Sequence, residues 1–381
     1  MTRTLSATLR RVNRLMRPAK LTKATRSIQK AMTGLMVKSA LAPLAALAPK
    51  SPKSRRAAVP KAGQALGTVL RQLRAAKSLM PGARPATTTQ GPPRIPKGAH
   101  YLTRTHRSAA GSRSYKLYLP ASQPKRPKGL ILMLHGCNQS PDDFARGTHM
   151  NALAELHGLA IAYPSQTGRQ NAASCWNWFK PINQARGLGE PAILASLTRK
   201  LMKDFGLGRD TVFVAGLSAG GAMAAILADV YPDVFSAAGV HSGLARGAAR
   251  DVLSAMSAMH SGGTSAGMDP VAGRQTLPPT RRIIFQGDAD STVHPANAAL
   301  IVAAALGQDA RPTRLTQRSV RGRGYHKSDF AGTDGATVLE LWMLEGGGHA
   351  WSGGRTAGSY TDRTGPDASA QMVRFFLAKS A

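Results

Sequence analysis

The chain has 381 residues, 43% of them hydrophobic, with a formal net charge of +32. That length accommodates one large α/β domain plus an extension or two ordinary domains, and the apolar content excludes a wholly unstructured polypeptide. With only Cys137 and Cys175 a disulfide framework is excluded, and no run approaches the roughly 20 apolar residues that span a bilayer.

The charge is unevenly placed. No Asp or Glu precedes Asp142, and residues 1–100 carry 21 Lys and Arg, which leaves a net +11 for the rest. Within residues 1–79, Leu5, Leu9, Val12 and Met16 recur at helical spacing, with Arg10, Arg11, Arg14 and Arg17 on the other faces. Leu66, Val69, Leu70 and Leu73 repeat the pattern against Arg71, Arg74 and Lys77, after a Pro-, Ala- and Lys-rich hinge at 43–60. A basic amphipathic arm of this kind suits an interface between water and something apolar or anionic, with nucleic acid as a second partner class. The most apolar stretch near the start, residues 40–48, contains Pro43 and follows a long basic lead, so no cleavable export signal is expected. Five prolines within 80–100 mark a linker. The expected division is a partly helical or disordered extension at 1–99 and a catalytic domain at 100–381.

Beyond the linker, strand and helix patterns alternate. Residues 115–119 read as an outer strand, and 129–134 as a buried parallel strand. Ser140, Pro141, Asp142 and Asp143 supply an N-cap, a first-turn proline and first-turn acids, so a helix starts there. Further strands are expected at 159–163, 212–215, 237–240, 283–285 and 338–343, with helices at 191–205, 219–231, 295–306 and 367–378. The alternation predicts an α/β fold with a mostly parallel central sheet flanked by helices.

The sequence Gly216-Leu217-Ser218-Ala219-Gly220 lies between a β-branched apolar run and a small-residue helix, the context of a nucleophile elbow. A serine hydroxyl needs a base to activate it, and that base needs an acid to orient it. Downstream, Asp288 and Asp290 follow one strand, and His349 follows the last strand on a run of glycines. The spacing Gly287, Asp290, Val293 favours Asp290 as the acid and leaves Asp288 to cap its turn. His294, before Pro295, reads as structural. The backbone N–H of Ala219 and of Cys137, on the loop His135-Gly136-Cys137-Asn138-Gln139, are the expected oxyanion donors. The Cys137 thiol itself reads as packing or as paired with Cys175. Trp176, Trp178 and Trp351 are expected either as walls for an apolar acyl chain or as core.

The segments at 134–139, 174–179, 216–223, 287–295 and 348–351 together resemble the poly(3-hydroxybutyrate) depolymerase family of esterases, over roughly residues 101–381. The resemblance implies an α/β-hydrolase fold, a Ser218–Asp290–His349 triad and hydrolysis of a short-chain polyhydroxyalkanoate ester through an acyl-enzyme, with no metal or cofactor. Feruloyl and acetylxylan esterases share similar motifs, so a carbohydrate ester is the alternative substrate. A protein whose basic arm binds granules or nucleic acid is the alternative of another class. Secreted members usually carry a signal peptide and a C-terminal substrate-binding region; here the arm stands instead, and a cytoplasmic, granule-associated enzyme is expected, with secretion as the alternative.

Overall fold

The computed structural model describes residues 91–263 and 278–378. The amphipathic arm expected at 1–79 and its hinge lie outside the described residues. The chain enters through a hairpin, β1 (His100–Ser108) and β2 (Gly111–Leu119), followed by β3 (Gly129–Leu134), α1 (Pro141–Thr148), α2 (Met150–His157) and β4 (Leu159–Pro164). Next come α3 (Gly189–Phe205), β5 (Val212–Leu217), α4 (Ala219–Val230), β6 (Ala237–His241), α5 (Val252–Ser261), β7 (Arg281–Gly287) and α6 (Ala296–Leu306). A second hairpin, β8 (Arg314–Val320) and β9 (Arg323–Ala331), leads into β10 (Thr337–Leu344), the short β11 (Trp351–Ser352) and β12 (Thr361–Asp362), and α7 (Ala368–Leu377).

Ten strands form one sheet in the order β1-β2-β4-β3-β5-β6-β7-β10-β9-β8. The six from β4 to β10 run parallel, and the two hairpins add antiparallel edges. Every residue of β3, β4, β5 and β6 is buried, as strands covered on both faces must be. Side chains of β3 alternate between two cores. Leu130, Leu132 and Leu134 pack with Val212, Val214 and residues of α3 and α4, while Ile131 and Met133 pack with Phe213, Phe144 of α1 and Phe376 of α7. This is the α/β-hydrolase architecture that the motif order implies.

Each strand and helix expected from the pattern is present, and Ser140 caps α1 by accepting the Asp143 N–H at 3.2 Å. One expectation is corrected. Residues 115–119 are not at the sheet edge, because β2 is flanked by β1 and pairs with β4. β1 and β8 are mostly exposed, so their sequences carry no alternation of apolar residues, and pairing with the neighbouring strand alone defines them. No described helix is long and apolar enough to cross a membrane.

Candidate active site

The parallel strands all end at one edge of the sheet, and the loops leaving β3, β5, β7 and β10 carry the expected triad and oxyanion residues. At the end of β5 the chain turns at once into α4. Ser218 sits in that turn with φ 57° and ψ −121°, a conformation costing a non-glycine residue on the order of 1–3 kcal/mol. The turn is held from both sides: the Ser218 N–H donates to His241 C=O at 2.9 Å, and the Ser218 C=O accepts the Ala222 N–H at 2.8 Å. A Cβ on Gly216 would lie 2.3 Å from the Gly220 carbonyl carbon, and one on Gly220 would lie 2.0 Å from Leu134 O. Strand, helix and the end of β3 thus meet backbone to backbone, and no side chain fits between them. Helix α4 is buried at all 12 positions, which its Ala-rich sequence permits. Its N-terminus lies directly behind Ser218.

Asp290 and His349 come together. The His349 Nδ1–H donates to Asp290 Oδ2 at 2.8 Å. Asp290 Oδ1 accepts the Thr292 and Val293 N–H at 2.9 and 2.8 Å, and Gln286 Nε2 reaches Oδ2 at 3.3 Å. Burial works to raise the Asp290 pKa. The His349 ring and the two backbone donors outweigh it and hold the carboxyl below the usual carboxylate range. With Nδ1 committed to Asp290, Nε2 of His349 is left as the free basic nitrogen. Among the described residues neither that nitrogen nor the Ser218 hydroxyl has a hydrogen-bond partner, so the structure contains no bond joining Ser218 to His349. Asp288 does not cap its own turn as expected: its Oδ1 accepts the Gly346 N–H at 2.6 Å, from another loop, and ties the exits of β7 and β10. His294 is structural, donating its backbone N–H to Met259 C=O and accepting the Ala296 N–H on Nδ1.

The loop after β3 lies against the elbow, since a Cβ on Gly136 would sit 3.5 Å from Ser218 Cβ. The N–H groups of Cys137 and Ala219 have no acceptor among the described residues. Gln139 holds this loop from within, accepting the Gly136 N–H at 2.9 Å and donating to Asp143 at 3.0 Å. A second loop braces it from outside. Cys137 and Cys175 form a disulfide, the Asn138 N–H donates to Ala173 C=O at 2.7 Å, and Trp176 Nε1 donates to His135 C=O at 3.1 Å. That brace is anchored on Glu190 of α3, whose buried carboxylate accepts from Arg113, Gln166 and both the side chain and backbone of Asn177. The Arg113 guanidinium, desolvated in this pair, has its pKa pushed down despite the Glu190 charge.

Two further histidines are buried and neutral. His135 Nε2 accepts the Gln166 N–H at 3.1 Å, and burial pushes its pKa down to about 4. His241 Nε2 accepts the Ser352 N–H at 3.0 Å; burial, with the nearby His349 ring, pushes its pKa down to about 3.

The tryptophans are a correction to the acyl-wall expectation. Trp176, Trp178 and Trp351 are 0%, 5% and 1% exposed and belong to the two cores. Arg113 and His135 lie against Trp176, while Trp351 contacts Phe144 and His241 and donates to Ser369 Oγ. Their faces are occupied by protein. Gln139, Glu190, Gln286 and His241 went unread in the sequence, because nothing local separates a polar residue with distant partners from an ordinary loop or helix-start residue. Among the described residues there is no cluster of side chains able to hold a metal ion.

Comparison with known proteins agrees with this architecture. The chain is 29% identical over 237 residues to poly(3-hydroxyalkanoate) depolymerase C of Paucimonas lemoignei, covering 61% of this chain and 56% of that protein. It is 27% identical over 195 residues to a probable acetylxylan esterase A of Aspergillus clavatus, covering 48% and 61%. The match to feruloyl esterase B of Neurospora crassa is 29% over 129 residues, covering 34% and 43%. The chain thus spans about half the length of the depolymerases it matches. In three dimensions it superposes on the acetyl xylan esterase from Aspergillus awamori with a TM-score of 0.55 at 21% identity, covering 66% of this chain and 93% of that one, a likeness of fold. A family model described as Esterase PHB depolymerase matches residues 113–310, a stretch that takes in the elbow, Asp290 and the disulfide. Because that match covers just over half of the chain, the protein belongs to the esterase PHB depolymerase family.

Proposed function

We propose that the protein is a serine esterase that hydrolyses short-chain polyhydroxyalkanoate, as polymer or oligomer. The observation that carries this reading is the His349–Asp290 pair, 2.8 Å apart, on loops leaving the same sheet edge as the strained Ser218 turn. Ser218 attacks the ester carbonyl and His349 Nε2 takes its proton. Asp290 holds the ring by Nδ1 and stabilises the imidazolium. The Ala219 and Cys137 N–H groups bind the oxyanion, helped by the N-terminus of α4. His349 returns the proton to the leaving alcohol, and water activated by the same nitrogen then hydrolyses the acyl-enzyme. The depolymerase relatives support the polyester as substrate, and the acetylxylan and feruloyl esterase relatives support a carbohydrate ester as the second reading.

Ser218→Ala is expected to abolish turnover of p-nitrophenyl butyrate while leaving the circular dichroism spectrum and melting curve of the parent; retained turnover refutes the serine mechanism. On the parent protein, kcat/KM for hydroxybutyrate oligomers should exceed that for feruloyl and acetylxylan esters. The reverse order assigns the carbohydrate substrate. The Cys137–Cys175 disulfide favours an oxidising compartment, and with it the secreted alternative over a cytoplasmic one. Attachment to a polymer surface through residues 1–79 rests on their charge and apolar spacing. Removing residues 1–99 should lower the rate on polymer granules and spare the rate on soluble ester; equal losses on both would refute the attachment role.

A further inference from the structure

His241, the last residue of β6, is fully buried and bonded to both halves of the site. Its backbone C=O accepts the Ser218 N–H at 2.9 Å. Its ring Nε2 accepts the Ser352 N–H at 3.0 Å, three residues beyond His349. Since Nε2 accepts, the ring proton is on Nδ1, which lies 3.2 Å from Ser242 Oγ. The ring also stacks on Phe285 of β7, centroids 5.7 Å apart, and on Trp351, centroids 5.2 Å apart. Phe285 is on the strand that leads to Asp290, and Trp351 is two residues past His349. One residue therefore contacts, by its backbone C=O and its ring together, the elements that carry all three members of the candidate triad.

We propose that His241 is a positioning residue that sets the distance and angle between Ser218 and His349. The inference rests on the reading of those two residues as nucleophile and base. Asp290 ties the His349 ring to the β7 exit, but neither side chain is hydrogen-bonded to the elbow. The elbow and the His349 loop are 131 residues apart in sequence, and His241 is hydrogen-bonded to both. Other bonds also hold the His349 loop: Ser352 Oγ donates to Pro366 C=O at 2.7 Å, and β11 pairs with β12. Loss of the imidazole acceptor should therefore shift the loop rather than unfold it. A displacement on the order of 1 Å is enough to cost about 100-fold in rate. Phenylalanine at 241 keeps the stacked ring and loses the acceptor, leaving the Ser352 N–H buried without a partner. Glutamine can place its amide oxygen near the position of Nε2; asparagine is too short to do so.

The test uses the full-length protein and p-nitrophenyl butyrate, with competent sites counted by stoichiometric reaction of a fluorophosphonate with the active serine. His241→Phe is expected to lower kcat per titrated site at least tenfold with KM changed less than twofold, and His241→Gln to recover several-fold of that loss. A His241→Phe kcat per site within twofold of the parent overturns the proposal, as does a Gln variant no faster than Phe. If the Phe variant does not fold, His241→Gln should exceed His241→Asn by several-fold per site, and equality overturns the proposal. Ser218→Ala separates the two levels. Turnover retained in that variant removes the underlying reading, whereas an inactive Ser218→Ala beside an undiminished His241→Phe removes this inference alone.

Discussion

Asp290→Asn is expected to lower kcat on p-nitrophenyl butyrate by roughly 10⁴-fold with little change in KM, and Asp288→Asn by less than about tenfold. Both aspartates follow β7 and lie two residues apart, yet their surroundings differ. Asp290 is buried, and its carboxylate is saturated by His349, Gln286 and two backbone N–H groups. An amide at 290 would still fill the space, but its NH₂ facing His349 Nδ1 favours the tautomer with the proton on Nε2. The nitrogen that must take the serine proton is then already occupied, and the imidazolium formed in the transition state has no counter-charge. Asp288 is exposed and bonds only a loop N–H, so its loss loosens the β10 exit and leaves the base correctly protonated. Steady-state kinetics of the two variants, with thermal melts to confirm folding, decide the assignment. A larger loss at 288 than at 290 would exchange the two roles.

Acid should destabilise the fold well above the pH at which its carboxylates titrate. His135 and His241 are held neutral by burial, with pKa values down to about 4 and about 3, against about 6.5 in an unfolded chain. Between those limits the unfolded chain binds protons that the folded one refuses. Their contribution is thus complete above about pH 6.5 and is lost as pH falls through 4 and then 3, on the order of 3–5 kcal/mol for each ring. Together that rivals the whole stability of an ordinary domain, roughly 5–15 kcal/mol. Burial lowers His106 and His149 in the same direction. Asp290, held below the usual carboxylate range, adds a loss of the same sign at still lower pH. Urea midpoints should therefore fall steeply between pH 6.5 and 4, and the fall should be shallower in His241→Gln, which has no proton to bind there. Midpoints that stay level across that range would contradict the linkage.

Much of the candidate site is legible in the sequence alone. The elbow announces itself because its chemistry is local: a strand, a serine in a tight turn and two glycines all fall within a few residues. Asp290 and His349 were legible for a related reason, since each lies just past an apolar run whose end must fall on the same sheet edge. The Ser140 cap followed from the turn chemistry of short polar side chains, whereas the partner of Asp288, the Gly346 N–H, comes from a distant loop that turn chemistry does not reach. The hairpin strands β1 and β8 were not legible, because exposed strands carry no buried face to mark them. Nor was the position of the three tryptophans. An indole beside a catalytic motif reads the same in sequence whether it lines a cleft or fills the core behind it.

What the sequence by itself determined is the alternation of the central parallel strands with their flanking helices and the identity of the groups at their ends, because hydrophobic periodicity and turn chemistry act over a few residues. Only the tertiary structure decided the bracing of those ends. The Cys137–Cys175 bridge, the Glu190 carboxylate beneath it and the His241 ring against the His349 loop each join segments at least 13 residues apart. A buried polar group is stable only when its partners arrive from elsewhere in the chain, and that arrival is a property of the packed fold.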